Sequence, residues 1–554
     1  MPHRGAAATA GSRGGLAKAG VRVLAMGVMG TLLALVAVLL LRTATFPGPD
    51  ELRDWGRSGA SRVPAKFTET ELTAMKEALK EAVRIPTVAF SSENINTTAM
   101  IEFGELLRKV FPSMFSTSFI QHETVEEYSH LFTIRGSDPK LEPYMLLAHI
   151  DVVPASDDGW EVPPFSGLEH DGFIYGRGTL DNKNSVMAIL QAMELLLRRN
   201  YVPRRSFYIS LGHDEEVSGK HGAEKIAALL ESRGVRLSFI IDEGGYILDG
   251  ILSDVEKSFA VISVSEKGAM NLMLQVESAP GHSSLPPKET SIGILAAAIS
   301  RLEQTPMPNM FGYGTEKSML EQLAGQMGFP MNILLTNLWI FGPIVSRELE
   351  KSVFSNAMIR TTTALTMFNA GIKLNVIPPK AQATVNFRIH PGQTITEVLE
   401  ITQNIVADDR VKYQVLNAFN PLPLSPYDHE AFGYQLLRRT IRDVFPEVSV
   451  IIPEWKEESK QERTGKRQKT INPTSHSGGV CIGNTDVRHY ANISTGLYRF
   501  NPVSLSKESI KSLHGLNERI SVQTYETQVM FLFELIQNAD IEKVPKPHSA
   551  VHEL

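Results

Sequence analysis

The spacing of apolar residues predicts a folded body in which short strands alternate with helices. A capping-box pattern at Thr68 and Glu71 precedes apolar residues that recur on one helical face, which predicts a first helix over residues 69–84. Short apolar runs then alternate with a longer helical pattern: strands at residues 144–148, 207–211 and 239–241, and a helix at residues 185–197. This order predicts an α/β fold with a mostly parallel sheet covered by helices.

After about residue 264 the pattern changes to alternating strands, such as 270–276 and 383–389, with a helix near 292–302. This change predicts an inserted α+β domain, after which helical patterns at 431–445 and 522–538 complete the first domain. We therefore expect the following division: an N-terminal segment and linker (1–66), the first domain in two parts (67–263 and 417–545), the inserted domain (264–416) and a tail (546–554).

The N-terminus carries an uncharged apolar run, residues 23–41, which follows several basic residues including Arg13, Lys18 and Arg22. About 19 helical residues at about 1.5 Å each nearly match a bilayer core of about 30 Å. The run is long for a signal peptide, yet Thr43 and Thr45 offer small residues near a cleavage point, so a cleaved signal and a retained type II anchor both stay open. Both interpretations place the rest of the chain outside the cytosol, as a secreted or lumenal protein or as a single-pass membrane protein.

The amino-acid composition limits the kinds of binding and metal site that the chain can form. The 554 residues are enough for two or three domains, and a formal charge of -6 excludes the broad basic surface that nucleic-acid binding needs. Cys481 is the only cysteine, so the chain forms no internal disulfide and any metal must be held by His, Asp and Glu. Glycosylation sequons begin at Asn96 and Asn492, and they matter only on the secretory path.

Acidic and imidazole residues follow four segments that the pattern places at or beyond strand ends: His149 with Asp151, then Asp181, then Glu215 with Glu216, then Asp242. The carboxyl ends of the strands in an open α/β sheet share one edge, so we expect these groups to converge. Taken singly, each is more often a surface pair, a solvated helix residue or a turn residue. Their joint placement favours a pair of zinc ions that share a bridging carboxylate.

These motifs, in this order, resemble the aminoacylase/carboxypeptidase family of dizinc amidohydrolases, and within it the branch of N-fatty-acyl-amino acid synthases/hydrolases. The likeness runs from about residue 67 to residue 539. It implies a catalytic domain with an inserted lid or dimerisation domain and two zinc ions per chain. It also implies these roles: His149 and Glu216 as ligands of different zinc ions, Asp181 as the bridging carboxylate, Asp242 and His514 as further ligands, Asp151 as the partner of the His149 ring, and Glu215 as the general base.

Three further matches lie in the inserted domain. His282, in Pro-Gly-His-Ser-Ser, resembles a histidine that steadies the developing oxyanion, often from the partner subunit of a homodimer. Asn375 and Arg388 resemble groups that bind the oxyanion and the substrate carboxylate. An Arg side chain suits a carboxylate because it donates two parallel charge-assisted hydrogen bonds. Without the resemblance, Arg388 would more commonly be a strand residue paired with a surface acid.

Two departures from the family pattern limit the transfer. Asn182-Lys183-Asn184 replaces a glycine that many relatives have soon after the bridging aspartate, and residues 455–469 form a charged segment that we expect to be a disordered surface loop. The first departure leaves the ligand intact. The second lies near Gly483-Asn484-Thr485-Asp486 in the sequence, where we expect it to affect activity more than the fold.

The resemblance implies a zinc-dependent amidohydrolase that cleaves, and by mass action forms, the amide bond of N-acyl amino acids, with N-fatty-acyl amino acids foremost. Its substrates are small molecules: the N-acyl amino acid, or free fatty acid plus amino acid. A carboxypeptidase or dipeptidase with the same metal centre is the alternative among enzymes. A binding protein without catalysis is the alternative outside them, and Glu215 argues against it, because a metal-binding scaffold needs no base beside a ligand.

Overall fold

A computed structural model describes residues 13–46, 62–250, 257–448, 451–452, 479–481 and 483–541. Within this part of the chain the helices are α1 (Arg13–Ala44), α2 (Glu69–Arg84), α3 (Thr97–Val110), α4 (Pro112–Ser116), α5 (Lys183–Arg198), α6 (Ala223–Ser232), α7 (Ser291–Gln304), α8 (Glu316–Leu323), α9 (Met331–Thr336), α10 (Leu338–Leu349), α11 (Val353–Met358), α12 (Ile395–Val406), α13 (Phe432–Val444), α14 (Lys507–Ser512) and α15 (Val522–Asn538).

The strands are β1 (Ala89–Ser91), β2 (Asn94–Ile95), β3 (Ile120–Val125), β4 (Ser129–Ile134), β5 (Tyr144–His149), β6 (Leu168–His170), β7 (Phe173–Tyr175), β8 (Phe207–Gly212), β9 (Ile240–Asp242), β10 (Ile247–Leu248), β11 (Phe259–Val261), β12 (Ser263–Glu266), β13 (Gly268–Glu277), β14 (Gly281–His282), β15 (Thr362–Ala370), β16 (Val376–Ile377), β17 (Lys380–Ile389), β18 (Lys412–Phe419), β19 (Ile451–Ile452), β20 (Gly479–Cys481), β21 (Leu497–Arg499), β22 (Ser504–Leu505) and β23 (Arg519–Ser521).

The central sheet has eight strands in the order β20-β12-β21-β9-β5-β8-β4-β3. Its middle pairs, β21 with β9, β9 with β5 and β5 with β8, are parallel, whereas β4 and β3 at one edge pair antiparallel. Helix α5 is buried along nearly its whole length and packs beside α15 in the same core as β5 and β8. The α/β prediction is confirmed, and the sheet is mixed, because antiparallel pairs flank its parallel centre.

The segment from β13 to β18 has its own antiparallel sheet, in the order β15-β17-β13-β18. Alternate residues of β13 and β17 face a separate core that α7 and α12 close, which explains the period-two pattern in the sequence. Four further helices, α8 to α11, lie between α7 and β15. The predicted α+β texture is therefore present, while the exact domain boundaries stay a prediction.

The first predicted helix is confirmed as α2, and the Thr68–Glu71 capping box is present at its start. Helix α1 contains residues Val23–Ala44, which are long and apolar enough to cross a membrane, with a mean hydropathy of 2.6. No other helix of the described residues passes that test. The charged segment 455–469, the tail 546–554 and most of the linker lie outside the described residues.

Candidate metal centre

The three parallel strands β9, β5 and β8 carry most of the acidic and imidazole groups at their carboxyl ends. His149 is the last residue of β5, Glu215 and Glu216 lie in a 3-10 turn after β8, and Asp242 ends β9. Because these strands are hydrogen-bonded neighbours, their ends meet at one edge of the sheet. The predicted convergence is therefore present for these residues.

Two groups of potential metal ligands share one carboxylate. One group is His149, Asp181 and Glu243, the other is Asp181, Glu216 and His514, and within each group the ligand atoms lie within 4.8 Å of one another. Asp181 Oδ1 lies 3.0 Å from His149 Nε2, and Asp181 Oδ2 lies 2.9 Å from His514 Nε2. The two oxygens of Asp181 thus face different groups, as a bridging carboxylate requires.

The imidazole of His149 is oriented by Asp151, which is fully buried. His149 Nδ1 lies 3.0 Å from the Asp151 carbonyl oxygen and 3.3 Å from its carboxylate. The same carboxylate accepts the backbone N–H groups of Glu215 and Glu216, at 3.2 and 3.1 Å. Asp151 therefore holds Nδ1 as the donor, leaves Nε2 free for a cation, and fixes the turn that carries both glutamates.

Glu518, which the sequence analysis did not single out, organises the other side of the centre. Its Oε1 accepts backbone N–H groups from Gly178, Leu180 and Asp181, and its Oε2 pairs with Arg177 at 2.5 Å. Arg177 in turn donates to the Gly515 carbonyl, next to His514. One buried carboxylate thus joins the loop of the bridging aspartate to the segment of the last histidine. Its position four residues after His514 was the only sequence clue.

The structure places Glu243, rather than the predicted Asp242, in the cluster. Glu243 Oε1 lies 3.1 Å from His149 Nε2. Both oxygens of Asp242 accept backbone hydrogen bonds instead, from Glu243 at 2.9 Å and Val487 at 2.8 Å, and Asp242 belongs to neither ligand group. The reason is local: side chains alternate along an extended backbone, so the next residue points to the cluster and its longer side chain reaches it.

The electrostatics of the cluster fit a divalent cation. Burial, with the charges of Asp181 and Asp242 added, raises the pKa of Glu243 to about 8, although His149 opposes the shift. Asp181 and Glu216 raise the pKa of His514 to about 10. Glu216 Oε1 is buried and has no hydrogen-bond partner. Crowded carboxylates with an unpartnered oxygen are the arrangement that a cation would stabilise, so the residues fit metal ions.

Glu215 differs from its neighbour in its surroundings. Its carboxyl belongs to neither ligand group, whereas Glu216 Oε2 lies 3.2 Å from His514 Nε2. Burial raises the pKa of Glu215 well above its usual value, and the charges of Asp486 and Glu243 add to the shift against that of His149. A carboxyl beside the ligands, yet outside them, is free to exchange a proton.

His282 and Asn375 lie together in the inserted sheet region, and neither belongs to a ligand group. The His282 ring is exposed and its Nδ1 lies 2.7 Å from Ser284 Oγ, while the Asn375 carbonyl accepts the Ser283 N–H at 3.2 Å. The short ladder β14–β16 pairs His282 with Val376. The structure brings these two predicted residues together with each other and not with the metal cluster.

Arg388 lies on β17 and reaches back to the first domain. Its Nη1 donates to Asn484 Oδ1, and Asn484 donates to Glu266 at 3.0 Å and to the Lys267 carbonyl at 2.7 Å. Burial lowers the pKa of Lys267 to about 8, and the nearby charge of Arg388 contributes. Lys267 Nζ donates to the Arg360 carbonyl at 2.8 Å, and positive charge from Lys267 and Arg388 makes this region suited to an anion. Lys267 was missed because a single lysine after a strand forms no pattern.

An α/β sheet with two carboxylate-imidazole groups that share a carboxylate at one edge is typical of metal-dependent hydrolases. The model of the peptidase family M20/M25/M40 matches residues 145–538. The chain belongs to this family, and it is therefore an enzyme.

Curated relatives match nearly the whole chain. The mouse protein "N-fatty-acyl-amino acid synthase/hydrolase PM20D1" is 60% identical over 527 residues, which covers 95% of this chain and 99% of the relative. The human protein of the same name is 61% identical, covering 93% and 98%. "Probable carboxypeptidase S-like 2" of Dictyostelium discoideum is 36% identical, covering 86% of each.

Solved structures agree on the fold. An M20 family metallo-carboxypeptidase from Sulfolobus solfataricus superposes with a TM-score of 0.57 at 17% identity, covering 86% of this chain and 100% of that one. Human carnosine dipeptidase 1 gives 0.55 at 15% identity, covering 89% and 100%. At such identities the similarity concerns the architecture alone.

Proposed function

We propose that this protein hydrolyses, and by mass action forms, the amide bond of N-acyl amino acids, with N-fatty-acyl amino acids as the foremost substrates. The observation that carries the proposal is the pair of ligand groups sharing Asp181, with Glu215 beside them. The acyl class is supported by the mouse and human relatives, whose printed names specify it.

The metal ions we propose are two zinc ions per chain. Imidazole and carboxylate are ligand types that zinc accepts, and neither ligand group contains a cysteine. Asp181 would bridge the two ions. The remaining ligands would be His149 and Glu243 on one side and Glu216 and His514 on the other. When bound, the pair would polarise the amide carbonyl and lower the pKa of a water molecule.

The proton transfers belong to Glu215. It takes a proton from the attacking water as the oxygen bonds to the amide carbon. It then delivers that proton to the amine nitrogen as the carbon–nitrogen bond breaks, which releases the amino acid and leaves the acyl group as a carboxylic acid. Condensation follows the same steps in reverse, because a catalyst accelerates both directions and the concentrations set the net flow.

Arg388 supplies the selectivity for a free carboxylate in this proposal. Its guanidinium would exchange the Asn484 contact for the substrate carboxylate, with the charge of Lys267 adding to the attraction. His282 and Asn375 lie outside the cluster of their own chain, which supports a role at the site of a neighbouring copy. We therefore propose a homodimer in which His282 of the partner subunit steadies the oxyanion.

The apolar helix α1 supports a place on the secretory path. We propose a secreted or lumenal enzyme, with a single-pass type II membrane form if α1 is retained. In that form α1 would hold the enzyme at the membrane, with the catalytic domain on the lumenal or extracellular side.

The test compares the release of amino acid from an oleoyl-amino acid and from dipeptides, with and without a chelator. We expect chelator-sensitive release from the oleoyl substrate, with little from dipeptides. Preference for dipeptides would assign the carboxypeptidase or dipeptidase function instead. Binding of either substrate without turnover, in protein that retains its zinc, would indicate a scaffold without catalysis.

A further inference from the structure

The end of helix α1 is joined to the inserted domain by specific polar contacts. Arg42 Nε donates to the Thr336 carbonyl at 2.8 Å, and the hydroxyl groups of Thr43 and Thr336 lie 2.8 Å apart. Asn337, which is fully buried, donates to the Leu39 carbonyl at 3.3 Å and to Thr43 Oγ1 at 3.2 Å. The junction of α9 and α10 is thus fixed against the last turn of the apolar helix.

This contact fixes the height of α9 and α10 relative to a bilayer that contains α1. The apolar run ends at Leu41, and Arg42 is the first charged residue after it, so the membrane boundary lies near residue 42. The contacts from Leu39 to Thr43 cover about 6 Å of helix at about 1.5 Å per residue. The α9–α10 junction therefore lies at the boundary between hydrocarbon and headgroups.

Large apolar side chains are exposed along the segment that runs from Phe329 through α9 and α10 to α11. Trp339 is 54% exposed, Ile344 61% and Val353 90%, and Phe329, before α9, is 82% exposed. Trp339 donates its indole N–H to Asn337 Oδ1 at 3.2 Å, so one amide holds both the end of α1 and the tryptophan ring. Tryptophan with one polar bond and an apolar face is typical of membrane interfaces.

The exposed apolar region is bounded by charge. Along α10 the exposed residues Trp339, Pro343 and Ile344 are followed one turn later by Arg347 and Glu348. An apolar area with a charged rim, positioned by a helix that can cross a bilayer, fits a partner that is apolar inside and polar at its surface. A lipid bilayer has that chemistry.

We propose that the α9–α11 segment, with Phe329, Trp339, Ile344 and Val353, is a lipid-docking surface that lies in the interface of the membrane beside α1. The inference rests on the proposed membrane form, in which α1 is retained, and not on the proposed activity. It places the inserted domain, and not only the N-terminal helix, in contact with lipid, so that the body of the enzyme sits against the bilayer.

Site-specific fluorescence tests the proposal, because the chain lends itself to single labels. Burial raises the pKa of Cys481 to about 12, so this thiol stays unreactive and a new cysteine can be labelled alone. The variants are Ile344→Cys and Val353→Cys. The matched control is Ile101→Cys on α3, an isoleucine of similar exposure, 55%, in the catalytic domain.

Each labelled full-length protein is mixed with phosphatidylcholine vesicles that contain brominated lipid. We expect the fluorophores at 344 and 353 to lose most of their emission to bromine quenching, while the fluorophore at 101 keeps most of its own. No quenching at 344 and 353, or equal quenching at all three positions, would overturn the proposal. If the fluorophore at 344 is shielded from solvent without lipid, and the shielding increases with protein concentration, the surface binds a second copy of the chain instead.

A second measurement distinguishes loss of lipid contact from loss of folding. The variant with Trp339→Gln, Ile344→Gln and Val353→Gln replaces exposed side chains, so it should fold. We expect this triple variant to hydrolyse a short-chain, water-soluble substrate at the rate of the wild type. With Phe354→Cys added to carry the fluorophore, we expect bromine quenching to fall at least several-fold. Unchanged quenching in that background would also overturn the proposal.

Discussion

At the scale of single residues, the adjacent glutamates 215 and 216 have different tasks in the proposed mechanism. Glu216 lies 3.2 Å from His514, whereas Glu215 belongs to neither ligand group. We predict that Glu215→Gln keeps its zinc and loses turnover by about 10²- to 10⁴-fold, because an amide cannot accept the proton of the attacking water. Glu216→Gln should lose zinc. Elemental analysis and rate measurements on both purified variants check this, and equal zinc content with equal residual rates would refute the division of roles.

A second pair of neighbours tests the ligand at the end of β9. We predict that Glu243→Gln lowers zinc content, because its carboxylate lies 3.1 Å from His149. Asp242→Asn should keep its zinc and lower the free energy of unfolding by about 1–3 kcal/mol, since the amide nitrogen faces a backbone N–H that needs an acceptor. Zinc analysis and urea unfolding separate the two effects. Loss of zinc in Asp242→Asn alone would support the sequence-based prediction that Asp242 is the ligand.

Arg388 tests whether the substrate offers a free carboxylate. We predict that Arg388→Ala weakens kcat/KM for an N-acyl amino acid by roughly 30- to 900-fold, or about 2 to 4 kcal/mol, mainly through KM. Arg388→Lys should restore only part of this, because an ammonium lacks the planar pair of donors. The C-terminal amide of the same substrate is the control, and it should respond little. If the variant preserves the preference for acid over amide, Arg388 has a structural role.

At the scale of elements, the edge hairpin β3–β4 carries a pair of neutral histidines. His122 Nε2 and His130 Nδ1 lie 3.0 Å apart. Burial, helped by the charge of Arg108, lowers the pKa of His122 from 6.5 to about 4, and burial with the charge of His122 lowers that of His130 to about 3. As the pH falls below about 6.5, the unfolded chain therefore takes up protons before the folded protein does.

The folded protein should consequently lose stability between about pH 6.5 and pH 4, by up to about 1.4 kcal/mol per pH unit for each histidine. We predict that the variant with His122→Gln and His130→Gln, whose amides can still pair, shows a smaller decrease than wild type. Urea unfolding midpoints at pH 7 and pH 5 measure it. His170→Gln, on the exposed β6, is the control, and a decrease equal to wild type in the double variant would contradict the prediction.

The elements also show what a sequence pattern can and cannot predict. Helix α2 was predictable because its cap and its apolar face are both local features. Helices α8 to α11 were not assigned, since the shortest have only 6 residues and their apolar side chains face solvent as well as the core. The periodic spacing that identifies a helix in a sequence is lost when apolar residues lie on its exposed face as well as on its buried face.

At the scale of the whole molecule, the metal centre joins distant parts of the chain. Its ligand-type residues come from positions between His149 and His514. We predict that zinc removal lowers the melting temperature, because an ion at about 100 times its dissociation constant stabilises the folded state by about 2.7 kcal/mol. Calorimetry with and without a chelator measures the shift. Glu216→Gln should shift less, and an unchanged melting temperature in protein shown to have lost its zinc would contradict the prediction.

The predicted site residues at the strand ends converge because strand order and strand direction determine the edge at which they meet. The sequence alone could not distinguish Asp242 from Glu243 as the ligand, since the direction of a side chain just past a strand depends on backbone hydrogen bonds that no pattern specifies. Glu518 and Lys267 act through contacts with residues far away in the chain. Such contacts exist only after folding, so they could not be predicted from local sequence.

The role of Glu518 has a consequence for how the enzyme is made. During synthesis the loop of Asp181 emerges long before residues 514 and 518, so it stays without the carboxylate that accepts three of its backbone N–H groups. A nascent chain therefore acquires its complete centre only after residue 518 has been synthesised. A chain that a premature stop codon ends between residues 499 and 514 contains every strand of the central sheet but lacks His514 and Glu518, so we expect it to be inactive.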